Sequence, residues 1–165
     1  MSDILTGVLI PVEEYRPSVA IRVSLDRLPL LWEDVGGPAE RVVLLQPAGT
    51  LYVNAWGMRF GLSVNRRATL LASAANPVWR GGTIVGDAVL VGAVQHGVDT
   101  CVDPAYSRVL LAATGRFGIE FRAPSGEPGE ALPPVAWSDP FAAYGEGLRL
   151  ARGYPLRAVC VRALD

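Results

Sequence analysis

The sequence predicts an α+β fold, with a mixed, mainly antiparallel sheet and two or three helices packed on one face. Three observations predict it. Segments of period-two alternation stand close together in the chain, as hairpin strands do. Between them lie segments with apolar residues at helical spacing, bounded by capping residues and by Gly or Pro. Half of the 165 residues are apolar and 19% are charged, which excludes intrinsic disorder and supplies a core without disulfides or a structural metal.

Residues 4–12 read as extended and apolar, and 19–25 alternate, with Val19, Ile21, Val23 and Leu25 set against Ala20, Arg22 and Ser24. A hairpin is expected. Ser24 or Asp26 then caps a helix in which Leu28, Leu31, Trp32 and Val35 share a face, with Pro29 in its first turn and Gly36 and Gly37 at its end. Strands follow at Arg41 to Leu45, Leu51 to Trp56 and Met58 to Leu62, the last two folded about Gly57. Asn65 caps a second helix with Ala68, Leu71 and Ala75 facing inward and Asn76 and Pro77 ending it. Ile84 to Gln95 is Val-rich and nearly uncharged, which predicts a buried strand with close packing at Gly86 and Gly92.

Beyond Thr100 the texture changes. Arg108 to Ala113 and Phe117 to Arg122 read as a strand pair, and residues 123–134, with four Pro and two Gly, as an exposed loop. A helix then starts at Ser138 or Asp139 with Pro140 in its first turn, carries Phe141, Tyr144, Leu148 and Ala151 on one face, and stops at Gly153 and Pro155. Ala158 to Ala163 is the last strand. Residues 1–98 form the expected core, with 99–165 as a C-terminal extension packed on it.

The charge balance excludes whole classes of function. Fifteen basic residues stand against sixteen acidic ones, so no global field draws the protein to nucleic acid or to an anionic membrane. Neither an export leader nor a membrane span is visible, and a cytoplasmic protein is expected. Cys101 and Cys160 match no zinc spacing and read as free thiols. All fifteen basic residues are Arg, and Lys is absent. A high-GC coding bias accounts for that, although guanidinium also suits bidentate contacts.

Three tracts, LYVNAWG (Leu51 to Gly57), VNRRATLLA (Val64 to Ala72) and GDAVLVG (Gly86 to Gly92), lie in one order within residues 40–95. In these the chain resembles domain-of-unknown-function family 3846. The resemblance implies a small bacterial, phage or plasmid protein with an accessory role in a mobile element or toward host factors. It implies no activity, cofactor or catalytic residue.

The candidate binding residues are Asn54, Asn65, Arg66 and Arg67, because a helix start with two arginines attracts anions, together with Arg149 and Arg152 on the last helix. Near the latter, Arg157, Arg162, Tyr144 and Tyr154 make a nucleic-acid contact conceivable. Asp87, His96 and Asp99, with Cys101 and Asp103 beside them, are the best general-base or metal constellation, though they fit no metal motif. No glycine-rich phosphate loop is present. The expectation is a non-enzymatic interaction protein with a macromolecular partner, without a cofactor or a metal. The alternatives are nucleic-acid or nucleotide binding through the arginines, and hydrolytic or metal-dependent chemistry in the Asp/His loop.

Overall fold

The computed structural model describes residues 4–24, 31–131 and 135–164. Strand β1 (Ile4–Ile10) turns back into β2 (Val19–Ser24), with Leu5 opposite Val23. On its other side β1 pairs with β5 (Ala88–Val91), which pairs with β4 (Ala48–Asn54), which pairs with β3 (Ala39–Leu45). The resulting order is β2-β1-β5-β4-β3, and every neighbouring pair is antiparallel. A second, three-stranded antiparallel sheet has β6 (Phe117–Arg122) between β7 (Pro128–Ala131) and β8 (Ala158–Ala163).

Among the described residues four α-helices complete this α+β fold: α1 (Leu31–Val35), α2 (Arg66–Ala75), α3 (Pro104–Leu110) and α4 (Pro140–Leu150). Strand pleating sends Val8, Ile10, Val42, Leu44, Leu51 and Leu90 to one face of the large sheet. There they join buried residues of α2, α3 and α4, and also Phe117, Ile119, Val159 and Val161 of the small sheet, in one apolar cluster. The opposite face carries Leu5, Val23, Tyr52, Val89 and Val91, covered by Val35 of α1. α2 packs on α4 and β8, and α4 on β6 and β8. Gly147 permits the last approach, since a β-carbon there would collide with Val159 of β8.

Two buried asparagines pin α2. Asn65, fully enclosed, accepts the Ala68 amide through Oδ1 at 3.0 Å as an N-cap, and its Nδ2 donates to the carbonyls of Ile10 (3.0 Å) and Gly86 (2.9 Å). At the other end Nδ2 of Asn76 donates to Val43 of β3 at 2.9 Å, while Oδ1 takes the Val78 amide. One helix is thereby tied to the end of β1, to Gly86 ahead of β5 and to the interior of β3.

The local structure departs from expectation in four places. Met58 to Leu62 is a run of turns rather than a strand, because both edges of β4 are already occupied by β3 and β5, and Asn54 Oδ1 captures the Trp56 amide to end the strand. Arg108 to Ala113 is not a strand. Asp103 caps α3 through the Ala105 amide, Pro104 occupies its first turn, and the apolar run continues as helix. The buried strand of 84–95 shrinks to Ala88–Val91, because Gly86 has φ +75° and the Gly92 amide turns to Thr100. Within 123–134, the turn closed by Gly126 N–H and Ala123 C=O returns the chain as β7 on the edge of β6. The predicted cap at Asp26, the apolar positions Leu25 and Leu28 and Pro29 fall outside the described residues, as do 132–134.

Asn65→Ala is expected to lower stability by about 2–4 kcal/mol, because it removes the cap and strands two buried carbonyls. Urea denaturation followed by circular dichroism measures it, and an unchanged midpoint would refute the pinning role.

Candidate functional site

The N-cap geometry of Asn65 aims the first turn of α2 at a cleft. Ala68 and Thr69 direct their amides to Asn65, leaving those of Arg66 and Arg67 ahead of the hydrogen-bond ladder. The first turn of α4 opens onto the same space. Asp139 caps that helix by accepting the Phe141 amide at 3.1 Å, and Ser138 precedes it. The third wall is the β1–β2 connection, with Glu14, Pro17 and Ser18. Together they enclose about 490 Å³. Two helix starts therefore border one volume, which Leu110, Ala112 and Ala113 at and just past the C-terminal end of α3 also line.

The two arginines differ sharply. Arg66 is exposed, and its Nη1 stands 3.5 Å from Glu14 Oε1 in a solvated pair. Arg67 is 8% exposed: its Nη2 donates to the carbonyls of Pro11 (2.6 Å) and Glu13 (3.0 Å), and its guanidinium lies 5.9 Å from the Phe141 ring centre. Its Nε is buried without an acceptor among the described residues. Burial pushes the guanidinium pKa down, while Glu14, Asp87 and Glu13 pull it back up. Arg67 thus holds a positive charge in the wall of the cleft on neutral carbonyls and an aromatic face.

Arg149 and Arg152 are not brought to this cleft. They sit at the other end of α4, about 16 Å away for an eleven-residue helix. Arg149 is engaged by Glu146 through two hydrogen bonds of 2.9 and 2.6 Å. Tyr144 is buried, whereas Tyr154 is half exposed with Arg157 over its ring. Asn54, also buried, spends its side chain on Val35 C=O and Trp56 N–H.

Asp87, His96 and Asp99 do not converge. Asp87 accepts the Val12 amide at 2.8 Å and so fixes the start of the β1–β2 connection. His96 is exposed at φ +52° in the tight turn that Gln95 and Val98 close. Asp99 is buried on the opposite face of the large sheet, where Oδ2 accepts the Tyr52 hydroxyl at 2.7 Å and stands 3.6 Å from Arg41 Nη2. Tyr52 also accepts from Arg41 Nε at 2.9 Å. Oδ1 of Asp99 has no partner among the described residues, and no cluster of three or more His, Cys, Asp or Glu there could hold a metal ion.

Cys101 is exposed in a second groove, of about 700 Å³, together with Thr6, Thr100 and Ser107. The Thr6 amide donates to its Sγ at 3.4 Å and holds the thiol below the ordinary range. Cys160 is buried, and desolvation pushes it up to about 11.

Sequence reasoning missed Arg41 and Tyr52, although a hairpin turning at Gln46 and Pro47 places them opposite each other. It also missed Glu14, Ser138 and Phe141 as cleft partners of Arg66 and Arg67. No local pattern joins segments so far apart.

No family model matches the chain, and neither a curated protein nor a solved structure matches it.

Tyr52→Phe is expected to cost about 1–3 kcal/mol, because it leaves the buried Asp99 carboxylate without its hydroxyl donor. Burial first, and then the bond to Asp99, push the Tyr52 phenol up to about 12, above the roughly 10 of a free one. Its stabilising effect is therefore full below about pH 10 and is lost as pH rises toward the folded value. Denaturation midpoints of the wild type should fall across that window, and those of Tyr52→Phe should fall less. In native protein a thiol reagent should label Cys101 alone, and Cys101→Ser should abolish labelling until the chain is unfolded. Mass spectrometry of the labelled peptides reads the outcome.

Proposed function

We propose that the protein is a non-enzymatic interaction protein, and that it grips an anionic group of a macromolecular partner in the cleft between the starts of α2 and α4. One observation carries this reading: Arg66 and the buried Arg67 face a second helix start across a shared, solvent-open volume. Helix-start dipoles and guanidinium groups favour the same ligand charge, so their effects on an anion add. The dispersal of Asp87, His96 and Asp99 favours binding over catalysis, because general-base or metal chemistry needs those groups within reach of one reacting atom. The accessory role implied by the resemblance to the mobile-element family is compatible with such a protein. Nucleic-acid binding gains less support, since Arg149 is already held by Glu146 and Tyr144 has no free face for a base.

The test is affinity capture from a lysate of the cell that encodes the chain, with wild type and Arg66→Glu side by side. Arg66 is exposed, so the variant should keep the wild-type melting temperature. A partner identified by mass spectrometry and rebound in purified form should lose at least about tenfold in affinity with Arg66→Glu, which corresponds to about 1.4 kcal/mol. Equal binding by both proteins, or capture of nothing by either, would overturn the reading.

A further inference from the structure

We infer that the anion this cleft takes is a phosphate monoester, and that Glu14 is a built-in carboxylate that such a phosphate displaces from Arg66. The inference rests on the cleft reading above and adds the ligand class and a threshold for it. Glu14 already offers Arg66 a carboxylate, at 3.5 Å, from within the cleft wall. An incoming carboxylate therefore exchanges one such group for another and gains little. A phosphate monoester carries a charge of about −1.5 to −2 and three acceptor oxygens. It satisfies Arg66 and reaches the unladdered amides of the α2 start together, which Glu14, with one charge and a side chain tethered to the opposite wall, does not.

Glu14 is free to leave. Its pair with Arg66 is exposed on both sides, and such pairs are held weakly. The backbone beneath it is not free, because Arg67 Nη2 clasps the carbonyls of Pro11 and Glu13, and Asp87 clasps the Val12 amide. Displacement is thus a side-chain rotation on a fixed wall. Arg67 stays buried in the cleft wall with an Nε that has no acceptor among the described residues, a fixed positive charge that a dianion answers better than a monoanion. Asp139 turns Oδ1 to the α4 cap, and among the described residues Arg66 pairs with Glu14 and not with Asp139.

The experiment is titration calorimetry of the full chain with inorganic phosphate, O-phosphoserine, AMP and acetate, for wild type, Glu14→Gln and Arg66→Ala. Circular dichroism melts confirm that each variant is folded. Saturable binding of the phosphates and none of acetate is expected for wild type. Glu14→Gln should tighten phosphate by about three- to fivefold and admit acetate, and Arg66→Ala should weaken phosphate by about tenfold. Tighter binding of O-phosphoserine than of AMP assigns the phosphate to a modified side chain of a partner, and the reverse order to a nucleotide; either order upholds the inference. Acetate matching phosphate on wild type overturns the ligand class while leaving the cleft reading intact. Unchanged phosphate affinity in Glu14→Gln overturns the displacement. Absence of phosphate binding in both wild type and Glu14→Gln overturns the inference, and the capture experiment then judges the cleft reading separately.

Discussion

The fold turns on one side-chain amide. Asn65 is the only kind of residue that serves its position, because the site asks for an acceptor toward the helix and two donors toward sheet carbonyls at zero exposure. Aspartate would cap α2 but set a carboxylate against the carbonyls of Ile10 and Gly86. Serine would cap it but reach only one of them. With Asn76 performing a similar task at the far end, α2 is positioned by hydrogen bonds and then sealed by small residues, Ala68, Ala72, Ala74 and Ala75, that let neighbouring elements approach closely. Everything proposed for the cleft inherits that fixity.

The arginine bias of the sequence takes on a physical meaning at two positions. Arg67 donates to two carbonyls with one corner of its fork while its plane lies near Phe141, and Arg80 reaches the carbonyls of Tyr154 and Arg157 ahead of β8. A lysine ammonium is a strongly hydrated point charge without a flat face, and it would be poorly housed in either place. Elsewhere Arg66 meets Glu14 in an exposed pair where lysine would serve about as well, whereas Arg149 holds Glu146 through two parallel donors and Arg162 reaches the buried Glu120. Coding bias and structural demand coexist in one chain.

What was legible in the sequence was what is encoded locally. Asn65 and Asp139 announce their helices by cap chemistry, and the alternation of Phe117, Ile119 and Phe121 announces β6. The α+β class followed from such signals. The run RVLLAA from Arg108 fits helix or strand equally well, and the deciding signal, Asp103 followed by Pro104, lies upstream of it. The strand expected at Met58 failed for a reason no local window contains, namely that β5 arrives from later in the chain to fill the edge of β4. The helix start at Arg66 and Arg67 was legible as an anion-attracting element. Its opposite wall was not, because Glu14 and Ser138 come from near the two ends of the chain.

The two walls of the cleft are synthesised at different times. As the chain is made from its N-terminus, β1, β2 and α2 emerge early, and Arg67 can clasp the β1–β2 connection well before α4 exists. For that interval the guanidinium lacks the Phe141 ring that later lies over it, and the anion-attracting groove has one wall missing. The proposed cleft takes its second wall from α4, which is made after both arginines. A chain ended before α4 would present Arg66 and Arg67 without the wall that Ser138, Asp139 and Phe141 provide, so occupancy of the proposed cleft would report that synthesis has passed that helix.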